Sequence, residues 1–183
     1  MLACNLRQKI GFFYRNISSF PVICRKRVIE AVLLSVLDYG DVIYKNAAPS
    51  ILKPLDTVYH SALRFISGEN YRTHHCVLYD RVGWPSLADR PNKHWNLFIF
   101  KAIDGTLPMY IKSLLEWKPV TYMTRSSDWL TLKIPKVNTK LGETAFCFNA
   151  PTTWNDLQLR FKISSPITYG HFRSLVADLP TRH

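Results

Sequence analysis

Apolar residues recur at helical spacing from residue 22 to about residue 115. Across Val22 to Leu37, the residues Ile29, Leu33, Val36 and Leu37 share one helical face, and Pro21 fits a first turn, where no backbone hydrogen bond is lost. Gly40 breaks the pattern. A clearer repeat follows: Leu52, Leu55, Val58, Tyr59, Ala62, Leu63 and Ile66 line a second helix, with Ser50 as its N-cap and Gly68 at its end. A short third helix follows Thr73 and runs through Val77 and Leu78 to Gly83. Ser86-Leu-Ala-Asp89 resembles a capping box and opens a fourth helix toward Phe100, Lys101 and Ile103. Pro91 then leaves two choices: the helix begins later, or it kinks at a cost of about 3 kcal/mol. A further short helix after Thr106-Leu-Pro108 carries Ile111, Leu114 and Leu115.

The period changes after Trp117. Leu130, Leu132 and Ile134 alternate with Thr131 and Lys133, and Phe146 and Phe148 alternate within 144–148, which is strand periodicity. The turn-prone "KVNTKLG" would close the two into a hairpin. Two helices complete the chain, one around Thr152 to Leu157 and one opened by Ser165-Pro166 and lined by Tyr169, Phe172 and Val176. The expected fold is mainly α: a helical bundle over residues 1–116, then a small α+β region over 117–183 with one β-hairpin.

Charge sharpens this picture. Lys and Arg number 24 against 13 Asp and Glu, a formal net charge of +11, which favours a polyanionic partner. The 47% apolar share marks a folding sequence rather than a disordered tail. Cys4, Cys24, Cys76 and Cys147 are scattered with no CxxC pair, so neither a zinc finger nor a disulfide framework is expected. The N-terminus lacks the apolar run and cleavage site of a signal peptide. The stretch "VIEAVLLSVL" is interrupted by Glu30 and Ser35 and is too short for a bilayer. An intracellular chain is the expectation, with no membrane partner and no small-molecule substrate; cytoplasm and nucleus are not distinguished.

Several motifs run in a recognisable order: "GFFYRN" (Gly11–Asn16), "LDYGDVIY" (Leu37–Tyr44), "ALRFISG" (Ala62–Gly68), "THHCVLY" (Thr73–Tyr79), "VGWPSL" (Val82–Leu87), "LFIFKAIDGTLPMYI" (Leu97–Ile111) and "KLGETAFCFNAPTTWNDL" (Lys140–Leu157), with Phe172 in the closing helix. Together they resemble the C-terminal region of the reverse transcriptase of LINE-type (non-LTR) retrotransposons, from about Lys9 to Phe172. One departure is Pro91, where the family commonly carries another basic residue after Arg90. The resemblance implies a thumb-like helical region and a small C-terminal domain, both downstream of the catalytic palm. It therefore implies no polymerase activity: Tyr39-Gly40-Asp41-Val42 mimics a polymerase box but has Val42 where the second metal-binding aspartate would stand. In an intact polyprotein the partners would be the palm and an RNA or RNA–DNA duplex.

The candidate nucleic-acid-binding residues are Arg25, Lys26 and Arg27, together with Arg64, Arg72, Arg90 and Lys101, which neighbour Phe65, Tyr71, Trp95 and Phe100. Basic residues interleaved with aromatics suit single strands, whose bases stack while phosphates pair with cations. The alternative for the basic run is a solvated helix face, and for Phe65 and Phe100 it is core packing. Thr73-His74-His75-Cys76, with His60 or His94, invites a metal reading. Adjacent helical residues diverge by about 100°, so no metal and no cofactor is expected there. Asp38 and Asp41 read as turn residues, and Trp154-Asn155 as structural, with Asn149 as cap and Pro151 in a first turn. The rival to nucleic-acid binding is a protein-interaction or self-associating module, or an unstable relic, exposing the face that would pack on the palm.

Overall fold

Apolar side chains spaced three and four apart must be buried together, and the helices form where that spacing holds. The computed structural model describes residues 2–119, 130–163, 167–177 and 179. Its helices are α1 (Leu2–Arg15), α2 (Val22–Ile29), α3 (Ser35–Leu37), α4 (Asp41–Tyr44), α5 (Pro49–Ser67), α6 (His75–Val82), α7 (Arg90–Asp104), α8 (Met109–Lys112), α9 (Lys140–Thr144), α10 (Phe146–Phe161) and α11 (Tyr169–Ala177). Two compact units divide at Asn92 and Lys93. The sequence places its boundary at 116 instead. The aromatic residues that follow Lys93 on α7 belong with the second unit's core, which moves the division back into that helix.

In the first unit, α5 packs against α1, α2 and α6. It buries Leu55, Val58, Tyr59, Ala62, Leu63, Phe65 and Ile66, and each large side chain contributes about 1.5–3 kcal/mol of transfer free energy. Leu6, Ile10 and Phe13 of α1 close the same core, a helix to which the sequence reading assigns nothing. The helix from Val22 reaches Leu37 as expected, but its middle, Glu30–Leu34, widens into a π turn. The extra residue lets Leu33 and Leu34 both face inward with Ile29 and Leu37.

Gly40, Gly68 and Gly83 end helical runs with φ of 76°, 72° and 68°, a region that other residues enter only under strain. Ala48 rather than Ser50 caps α5. Pro91 settles as the second residue of α7, so the helix begins later and no kink arises. Ser86 and Asp89 bond to each other just before it, the hydroxyl donating to the carboxylate at 2.6 Å.

Among the described residues no strand forms, and the expected β-hairpin over 130–134 and 144–148 is absent. Thr139 caps α9 by accepting from the Gly142 N–H at 3.0 Å, so the turn-prone stretch starts a helix instead. Phe146 opens α10, and Asn149 and Pro151 lie inside that helix rather than at its cap and first turn. The segment around Leu132 is extended and makes a single antiparallel bridge with Trp117. A backbone bond from Leu130 N–H to the Ile163 carbonyl at 3.2 Å and two side chains hold it further. The Trp154 indole donates to the Leu130 carbonyl at 2.6 Å, while Asn155 accepts from Leu132 N–H and donates to Leu132 C=O, both at 2.8 Å. The second core collects Phe100, Trp154 and Phe172, with the Phe100 and Phe172 rings stacked at 4.5 Å. Ser165 and Pro166 lie outside the described residues.

Asn155→Ala removes both bonds to Leu132 and strands two half-buried backbone groups. It is expected to destabilise the second unit by about 2–3 kcal/mol in denaturant titrations, while Asp156→Ala on the exposed side of α10 changes stability by less than about 0.5 kcal/mol.

Candidate functional site

Long cationic side chains cover apolar surface with their stems and find partners with their heads, so a basic run is not automatically a free basic surface. The Arg25 Nε–H donates to the Phe20 carbonyl at 3.1 Å, and its guanidinium lies 5.5 Å from the Phe65 ring centre. Lys26 donates to the Val82 carbonyl at 3.0 Å and sits over Trp84. Arg27, about 200° around the helix from Arg25, is exposed and has no ion-pair partner among the described residues. Phe65 and Phe100 are buried, as their periodicity predicts.

Arg90 is withdrawn from solvent. Its guanidinium grips the Asp38 carboxylate with two hydrogen bonds, one of 3.0 Å from Nε to Oδ1, and only 14% of its side chain is exposed. Asp38 closes the helical run that ends at Leu37, so the "LDYGD" motif serves as a helix stop and an arginine anchor. Neighbouring Asp41 is buried in the first turn of α4, and Tyr39 is exposed. Tyr44 donates its hydroxyl to the Leu37 carbonyl, and burial with the adjacent Asp41 and Asp38 pushes it up to about 12. In the second unit Lys101 is half-buried, with its ammonium 5.1 Å from the Tyr169 ring centre.

Three candidates do converge. Gly68 turns the chain at the end of α5, and an Arg25 guanidinium nitrogen lies 3.9 Å from where a Gly68 Cβ would stand. Arg64 reaches toward the Thr73 carbonyl at 3.4 Å across the same loop. Arg72 lies on that loop, donating to the Tyr71 hydroxyl at 2.9 Å with its guanidinium over the ring. Tyr71 itself is 72% exposed. Glu69, the loop's carboxylate, is occupied by Arg81 and by the Thr73 hydroxyl. The loop therefore presents an exposed aromatic ring with Arg72 against it, and Arg25 and Arg64 at its two ends. Arg81 escaped the sequence reading, since only the folded loop brings it to Glu69.

Beside the loop lies a histidine cluster. His60 on α5 shares a 2.7 Å hydrogen bond with the Tyr79 hydroxyl and faces Asp56 at 3.6 Å. The His75 ring stacks on it at 5.4 Å. Burial holds His60 below its ordinary value; His75 and Arg64 push the same way and Asp56 opposes them. Burial also raises the Tyr79 phenol, with Asp56 adding to it. No helix among the described residues is long and apolar enough to cross a membrane. No family model, curated protein or solved structure matches the chain.

A histidine whose folded-state value is lowered binds fewer protons than in the unfolded chain. Its contribution to stability is full above the unfolded value of 6.5 and is lost as pH falls through the folded one. Thermal melts should therefore fall as pH drops from 7 to 5, and His60→Asn should flatten that slope; an unchanged slope would remove His60 as the cause.

Proposed function

We propose that the chain is a non-catalytic nucleic-acid-binding module. In this reading it derives from the region downstream of the palm in a LINE-type reverse transcriptase, and it binds RNA or an RNA–DNA duplex with little regard to sequence. The observation that carries this reading is the loop after α5, where Arg72 lies over the exposed Tyr71 while Arg25 and Arg64 reach the same loop at Gly68 and Thr73. Guanidinium groups pair with phosphate oxygens in a forked geometry, and a solvent-facing ring offers a stacking platform for any base. The net charge of +11 adds long-range attraction. Arg27 supplies a further exposed cation, whereas Arg90 and Lys26 act mainly within the protein's own packing.

A second reading rests on a different observation. Ile23, Tyr39 and Ile43 are each about nine-tenths exposed, at 86%, 86% and 87%, in the stretch that begins α2 and ends with α4. Large apolar side chains left in water favour a docking or self-associating module that would meet the palm in an intact polyprotein.

Salt separates the two. Fluorescence anisotropy with labelled single-stranded RNA and RNA–DNA duplex should show affinity falling linearly on log–log axes, by about 0.7 to 0.9 in slope per phosphate contacted. Tyr71→Ala should weaken single-strand binding about tenfold, in line with the loss of one stacked base. Arg72→Ala should lower the salt slope by about one contact. Self-association that strengthens with salt, without RNA binding, supports the docking reading instead.

A further inference from the structure

We propose that His74, His75 and Cys76 form a binding site for a borderline-soft divalent transition metal of the zinc class. Three consecutive residues within a helix fan out over about 200° and cannot all reach one ion, but only His75 and Cys76 stand in the helix, about 100° apart, and His74 does not. It is the N-cap of α6, with extended backbone (φ −64°, ψ 144°), and its Nδ1 accepts the Cys76 N–H at 3.4 Å. That bend folds its ring back over His75, the ring centres 4.0 Å apart. One donor atom from each of the three residues then lies within 4.8 Å of the others. A tetrahedral zinc ion holds nitrogen and thiolate donors about 3.3–3.8 Å apart, so roughly 1 Å of side-chain movement closes the set. All three side chains are exposed and can make that adjustment.

The donor chemistry selects the metal. Two imidazoles and a thiol suit zinc, cobalt or nickel and offer nothing to magnesium or calcium, which require oxygen ligands. A neutral imidazole has one lone-pair nitrogen, and in His74 it is Nδ1; binding exchanges the long 3.4 Å cap bond for a bond to the ion while Nε2 keeps its proton. His60 is a support rather than a ligand: its ring backs His75, and its own nitrogens face Tyr79 and Asp56. On binding, the Cys76 thiol releases its proton to solvent as the sulfur–metal bond forms, and both imidazoles donate lone pairs in their neutral form. Three protein ligands leave a coordination position for water or an outside donor. This site is independent of nucleic-acid binding by the neighbouring loop.

The test is a titration of the reduced, untagged full chain with cobalt(II). A thiolate-to-cobalt charge-transfer band with the visible spectrum of tetrahedral cobalt is expected, lost on adding zinc. Cys76→Ser should abolish the band, and His74→Ala or His75→Ala should weaken binding about tenfold or more. The triple variant Cys4→Ser, Cys24→Ser, Cys147→Ser should retain it. Alkylation of the unmutated chain checks the same point without substitution: zinc should slow iodoacetamide modification of Cys76 but not of the exposed Cys4 and Cys24. No band at saturating cobalt, a band that survives Cys76→Ser, or zinc that leaves Cys76 alkylation unchanged would each overturn the site.

Discussion

Burial of one face of α5 is the constraint on which the first unit depends. Its apolar residues meet α1, α2 and α6 in a single core, and none of those helices has enough apolar surface to be stable alone. Because that face is fixed inward, the positions of the remaining residues follow. His60 and Arg64 emerge at the rim of the core, and the chain leaves the helix at Gly68 beside Arg25. The basic loop and the histidine cluster are thus brought to the rim by hydrophobic packing, and the Glu69–Arg81 pair and the Arg64 bond to Thr73 then hold the loop.

What each cation does depends on whether its aromatic neighbour is buried. Arg25 over buried Phe65 and Lys26 over buried Trp84 extend the core outward, their stems shielding rings from water. Arg72 over exposed Tyr71 shields little and leaves both groups available to a ligand. Arg90 represents the other limit, its charge neutralised by Asp38 at a helix end. Arg25, Lys26 and Arg90 are engaged in this way, so these three of the 24 basic residues are less free to meet a polyanion than their place in the sequence suggests.

Helices with long apolar repeats and glycine stops were legible in the sequence. For α5 and α6 the periodic face and the left-handed glycine agree, and the structure ends both where the glycines stand. The stretch 130–148 was not legible, for a physical reason. Alternation there reflects an extended segment held by Trp154 and Asn155 side chains, and a helix start at Phe146, while a two-period pattern cannot say which partner satisfies the backbone. The α1 helix was readable from Leu6, Ile10 and Phe13, whose spacing is helical. At the candidate site, charge and aromatic composition pointed to Arg25, Arg64 and Arg72. Their convergence depends on the turn at Gly68. The metal-ligand geometry was concealed because helical spacing was applied to His74, which lies one residue outside the helix.

If the proposed function holds, nucleic acid meets the protein at the loop after α5. Photocrosslinking of a thiouridine-substituted single-stranded RNA to the full chain, mapped by mass spectrometry, tests this most directly. Adducts are expected to concentrate in the peptide that spans Arg64 to Arg81, with Tyr71 the principal residue modified. Adducts confined to peptides beyond Lys93, or adducts on the loop that persist unchanged when RNA is displaced by excess unlabelled strand, would contradict it.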